Sequence, residues 1–136
     1  MEVYEKSYKA LVLFLAGMFA LMLGLGIPLG LRFPEHSSRF TINLCTLSVA
    51  ALMLLIYRTE KVYWINGVDF ESAKNAGSER RKAFALRYLK RFSFVFLAGA
   101  LLSALFALLG LHQMIDFALI TLGLVVAACS TPSIKL

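Results

Sequence analysis

The chain has 136 residues, of which 60% are hydrophobic and only 16% charged, and it carries fourteen Lys and Arg against eight Asp and Glu. A water-soluble domain usually holds about 25% charged residues, and a mean hydropathy of +0.76 points away from one. Two cysteines and two histidines are too few for a disulfide framework or a multi-ligand metal centre.

Run length decides the class. About 20 apolar residues cross a ~30 Å hydrocarbon core as a helix, and uncharged runs of 18 or more are candidates. Residues 10–31, 40–57 and 92–111 contain no charged residue, and 114–130 contains only Asp116. Little chain lies outside these runs, so residues 1–136 are expected to form one transmembrane domain. The expected fold is all-α: an integral membrane four-helix antiparallel bundle with an extended third helix and a short amphipathic cytoplasmic segment over 58–91. The first run is longer than the ~7–15 residue core of a signal peptide and lacks a small-x-small cleavage site after it, so an uncleaved helix is expected.

Helix one carries small residues at i, i+4 spacing, Ala16, Ala20 and Gly24, of the kind that lets helices approach closely in lipid. Helix three repeats the pattern with Gly99, Ser103 and Ala107, and helix four with Gly123 and Ala127. These faces are expected to pack the helices or to build a homo-oligomer. Gly24, Gly26 and Gly30 surround Pro28 near the end of helix one. Pro28 cannot bond the carbonyl of residue 24 and should kink the helix. The break is either a frayed exit or, as in transporters, a site that exposes carbonyls to a substrate.

Helix two brings Asn43, Thr46 and Ser48 into the span. Asn43 is expected to hydrogen-bond across helices to Ser103 or Thr121, or else to face a pore. Cys45 and Cys129 fall near opposite membrane faces, too far apart for the ~5.5 Å Cα separation of a disulfide, and are expected as free, buried thiols.

Basic residues set orientation. Lys6, Lys9, Lys135 and nine Lys and Arg within 58–91 lie on one side, against Arg32 and Arg39 on the other. Both termini and the central segment are therefore expected in the cytoplasm, at a bacterial inner (plasma) membrane. Within the central segment, Asn66-Gly67 favours a hairpin turn. The alternative, which is preferred, is a turn followed by a short helix capped by Asp69 and stopped at Gly77. Tyr63 and Trp64 sit where an interfacial aromatic belt is expected.

Ser78 is the expected N-cap of helix three, which meets no Gly or Pro before Gly99. A helix from Glu79 to near Leu111 would be roughly 50 Å long, about 20 Å more than the hydrocarbon core. On a 100° wheel its first turns place Arg80, Arg87, Lys90 and Arg91 on one side and Phe84, Ala85, Tyr88, Leu89 and Phe92 on the other. Arg81 and Lys82 intrude on the apolar side. The basic side is either a positive-inside anchor or a surface for anionic lipid or an acidic partner. Nucleic acid is not an expected partner, because no nucleic-acid motif accompanies the charge.

Asp116 is the lone acid within a span and so a candidate ion or proton site. Its place in the first turn of helix four favours interface pairing instead, with Arg39 or His112 as partner. No nucleophile elbow, P-loop, zinc-binding helix or paired intramembrane carboxylate is present, so neither an enzyme nor a cofactor is expected. The leading expectation is a small non-enzymatic membrane protein acting by association, as an accessory subunit or self-assembling scaffold. Tyr63, Trp64, Arg80, Phe84, Arg87, Tyr88, Lys90 and Arg91 would dock a partner or anionic lipid. The alternative is an oligomeric channel or transporter using Asp116, Asn43 and the Pro28 region.

Overall fold

The computed structural model describes residues 3–65 and 67–136, and every regular element among them is helical. Five helices follow one another: α1 (Lys9–Arg32), α2 (Ser37–Thr59), α3 (Phe70–Ala76), α4 (Ser78–Leu108) and α5 (Gln113–Ser130). Four of them, α1, α2, α4 and α5, are long and apolar enough to cross a membrane.

The segment between α2 and α4 takes the short-helix form, and no strand is found among the described residues. Asp69 caps α3 by accepting a hydrogen bond from the Ser72 amide at 3.1 Å, and hydrogen bonding from the Ser72 side chain, with that amide, holds its carboxyl below the usual aspartate range. Gly77, at φ +81°, ends α3. Asn66 lies outside the described residues, while Gly67 adopts φ +91°. The chain reverses directly at Gly77, so α4 begins at Ser78, with Gly77 rather than Ser78 in the capping position. From there α4 runs unbroken for 31 residues until Gly110, at φ +70°, turns the chain. A run without Gly or Pro until deep in the helix makes this length natural.

Helix α1 does not fray at Pro28. One π-helical turn, Met22–Gly26, precedes the proline, and regular α-helix resumes over Ile27–Arg32. A π-turn removes the demand for the i→i−4 bond that Pro28 cannot make. The later part of α1 lies against α2, where an added Cβ on Gly26 would meet Leu44 at 3.5 Å and one on Gly30 would meet Ser37 at 3.4 Å. The earlier part, Lys9–Leu21, has no buried residue.

The buried centre is built by α2, α4 and α5: α2 buries Ile42, Thr46, Ala50 and Ile56, α4 buries Gly99 and Ser103 within its span, and α5 buries Ile120 and Ala127. The small-residue faces divide accordingly. Gly99, Ser103 and Ala127 are buried in this packing, whereas Ala16, Ala20 and Gly24 of α1 are exposed, and a Cβ on Gly24 would meet no described atom within 4 Å. An interhelical role within one chain is thus corrected for the α1 face. Ala107 and Gly123 are half-buried, and a Cβ on Gly123 would meet no atom within 4 Å. Both cysteines are free, but Cys129 is exposed rather than buried.

At Gly99 α4 lies directly against α5. An added Cβ would lie 3.2 and 3.3 Å from two carbons of Ile120, itself buried. Gly99→Val is expected to cost about 1–3 kcal/mol through overpacking, read as a lower denaturation midpoint in detergent. Gly123→Val, equally β-branched but unopposed, is expected to cost much less.

Candidate functional site

Two polar centres stand at opposite ends of the helices. At one end Arg39, near the start of α2, points into the protein and is only 5% exposed. Its Nε donates to Asp116 Oδ2 at 2.9 Å, and Asp116, in the first turn of α5, is fully buried. Arg39 Nη1 donates to His36 Nδ1 at 2.7 Å, which places the His36 proton on Nε2. Arg39 Nη2 donates to the carbonyl of Leu111, in the turn after α4. One guanidinium thus joins α2, the α4–α5 turn and α5. His112 is not the partner of Asp116; its Nδ1 accepts from the Met114 amide and caps α5.

The network continues inward. Asn43 Nδ2 donates to the Arg39 carbonyl at 2.8 Å and to Ser103 Oγ at 2.9 Å, which is the cross-helix bond expected of it. Gln113 closes the rim, accepting from the Ser38 amide at 2.8 Å and donating to the Pro34 carbonyl at 3.2 Å. A cavity of about 380 Å³ adjoins this rim, walled by Glu35, His36, Arg39, His112 and Gln113 among others. Asp116 Oδ1 and Asn43 Oδ1 are buried and accept no hydrogen bond among the described residues. Pro28 belongs to α1 and is exposed, without a part in this network.

The other end is organised by Arg81. It intrudes on the apolar side of α4 because it is the centre of a cluster, not a surface charge, and it is 1% exposed. Its Nη1 donates to the Ala73 carbonyl at 3.1 Å, satisfying the end of α3. Its Nη2 lies 3.4 Å from a Glu60 carboxylate oxygen, an ion pair rather than a good hydrogen bond at that length. The guanidinium also sits 4.0 Å from the Tyr4 ring centroid, a cation–π distance.

Glu60 ends α2 in the left-handed conformation, φ +60°. This costs a non-glycine residue some strain but sends its carbonyl to the Tyr4 hydroxyl, which donates to it at 2.7 Å. Burial pushes the Tyr4 phenol up to about 12 despite the nearby Arg81, so it remains a donor. Tyr4 stacks on Phe70 at 5.5 Å and meets Tyr63 edge-on at 5.9 Å. Tyr63 Oη accepts from the Ser7 amide at 2.7 Å and donates to the Ser7 carbonyl at 2.8 Å; Trp64 Nε1 donates to that carbonyl at 3.0 Å.

This arrangement corrects part of the expected docking surface. Tyr63, Phe84 and Tyr88 are buried and Trp64 is half-buried, because the N-terminal segment, α3 and the last residues of the chain cover them. Arg91 is also occupied: its Nη1 donates to both the carbonyl and hydroxyl of Ser130 at 2.7 Å, closing the end of α5. Arg80, Arg87 and Lys90 remain exposed along α4. The buried Arg81 was visible beforehand only as a basic residue in the wrong sector of the wheel; an arginine in such a place needs partners, and that was the available signal.

No family model matches this chain, and comparison with curated proteins and with solved structures found no match.

Proposed function

We propose that this is a small non-enzymatic integral membrane protein that works by association, as an accessory subunit or self-assembling scaffold. In this reading α1, α2, α4 and α5 cross the membrane as an antiparallel bundle, with both termini and α3 in the cytoplasm, as the distribution of Lys and Arg favours. The observation that carries the proposal is the first three turns of α4. Arg80, Arg87 and Lys90 are uncovered there, while Phe84 and Tyr88 brace the same turns from behind. A basic face held rigidly at the mouth of a span suits an acidic partner or an anionic lipid surface, to which each cation can contribute ~1 kcal/mol. The uncovered Ala16–Ala20–Gly24 face of α1 suits close contact with another spanning helix.

Mild solubilisation followed by cross-linking and mass measurement tests the idea. Arg87→Glu/Lys90→Glu should reduce binding to anionic liposomes and recovery of co-purifying proteins by roughly tenfold or more. If neither changes, the docking role is wrong.

One observation favours a second reading, an oligomeric channel or transporter. The buried oxygens Asp116 Oδ1 and Asn43 Oδ1, without hydrogen-bond partners among the described residues, have the chemistry to take a proton or a small cation. Cation or proton flux into proteoliposomes that Asn43→Leu abolishes would support it; an absence of flux in the wild-type chain would remove it.

A further inference from the structure

A second cavity, larger than the one beside Arg39, lies next to the basic turns of α4, between α3, the following turns of α4 and the last residues of the chain. Its volume, about 990 Å³, stands at the upper end of the ~300–1,000 Å³ typical of small-molecule sites. Its walls are not uniform. Ser72, Asn75 and Arg80 contribute polar lining, and Phe84, Tyr88 and Ala128 contribute apolar lining that extends toward the spanning part of α4. Arg80 and Tyr88 are eight residues apart on one helix, about 12 Å along its axis. The apolar part therefore lies one turn before Phe92, where the uncharged run of α4 begins, and beside Ala128 in the last turn of the apolar helix α5. Lys135 also lines the cavity, and no Asp or Glu side chain among the described residues does.

We propose that this cavity binds one anionic phospholipid of the leaflet on that side, with its phosphate between Arg80 and Lys135 and an acyl chain passing Tyr88 and Ala128. Three features select this ligand. The two cations match a phosphate, the amide and hydroxyl of Asn75 and Ser72 suit a polar headgroup, and the polar-to-apolar change along α4 runs in the direction in which a lipid changes. A soluble phosphate compound would use the cations but leave the apolar part unfilled. The inference rests on the membrane-spanning reading above, yet it differs from diffuse attraction of the basic face, because it needs Arg80 and Lys135 and not Arg87 and Lys90.

The test uses the full chain in mild detergent, titrated with phosphatidylglycerol or phosphatidylcholine of the same acyl chains and read by native mass spectrometry. Saturable binding of one phosphatidylglycerol per chain is expected, with phosphatidylcholine held at least about tenfold more weakly. Arg80→Gln/Lys135→Gln should weaken retention by roughly tenfold or more, and Ala128→Trp should also weaken it by narrowing the apolar part. Arg87→Gln/Lys90→Gln removes the same charge outside the cavity and should leave retention unchanged. Equal losses for both pairs would overturn the cavity site while leaving the association reading intact. Full displacement by millimolar glycerol phosphate would overturn the lipid in favour of a soluble phosphate ligand. Failure of the wild-type chain to discriminate the two lipids would overturn the proposal even if a variant did not fold.

Discussion

Asp116→Leu is expected to destabilise the protein by about 3–5 kcal/mol, because it leaves the Arg39 guanidinium buried without its carboxylate. The pair lies at 2.9 Å with both side chains almost wholly removed from solvent. Its attraction offsets a desolvation cost that either ion alone cannot recover. Arg39→Met alone should be about as damaging, since it strands a fully buried aspartate. The double variant Arg39→Met/Asp116→Leu should regain most of the loss, as apolar replacements of buried pairs often do. The recovery should stop short by about 1 kcal/mol, the ordinary net value of a hydrogen bond, because the Leu111 carbonyl also loses its donor. Denaturant unfolding in a fixed detergent, followed by circular dichroism, measures all three. A double variant no better than the single ones would show that Arg39 acts chiefly through its other partners.

The second large effect belongs to Arg81. Arg81→Ala is expected to cost roughly 3 kcal/mol, the low end for a broken buried pair, because Glu60 keeps part of its hydration. The damage should be local. Hydrogen exchange should accelerate at the carboxyl end of α3 and around Ser7, while amides of α4 and α5 beyond Phe92 keep their protection. Arg81→Lys should rescue little, since one ammonium cannot serve the Ala73 carbonyl, the Glu60 carboxylate and the Tyr4 ring together. Uniform exchange throughout the chain in Arg81→Ala would instead mark this cluster as essential to the whole fold.

The two centres differ in how far they can be read from the sequence. The spanning helices follow from uncharged runs, and the short helix α3 from Asp69 and Gly77, because each is a local signal. Arg39 and Asp116 are also readable as partners: they are opposite charges at the ends of apolar runs, where an unpaired charge would be costly. Arg81 is different. Its partners sit on three separate segments, at Tyr4, Glu60 and Ala73, and only the reversal at Gly77 brings α3 back over α4. A helical wheel treats α4 as a cylinder facing two media, so it assigns Phe84 and Tyr88 to lipid or a partner. In the folded chain other segments cover them, which leaves a narrower basic face than the wheel suggests. The exposure of Ala16 and Ala20 was equally hidden, since small residues mark a close approach without saying which helix makes it.

The π-turn at Met22–Gly26 has a consequence for α1 as a whole. Such a turn holds one residue more than an α-helical turn, and one residue corresponds to about 100° of rotation. The extra residue shifts the register of the two parts of α1 relative to an unbroken α-helix, so that Met18 before the turn and Gly26 and Gly30 after it all meet α2, while Ala16 and Ala20 are exposed. Deleting one residue between Met22 and Gly26 would restore an ordinary α-helical turn and leave both parts facing as they do, whereas tightening the turn to regular α-helix with all its residues kept would swing Ala16 and Ala20 by about 100° relative to Gly26 and Gly30. The direction in which this helix offers its small residues, relative to the face that meets α2 farther along, is thus set by how one turn accommodates its residues.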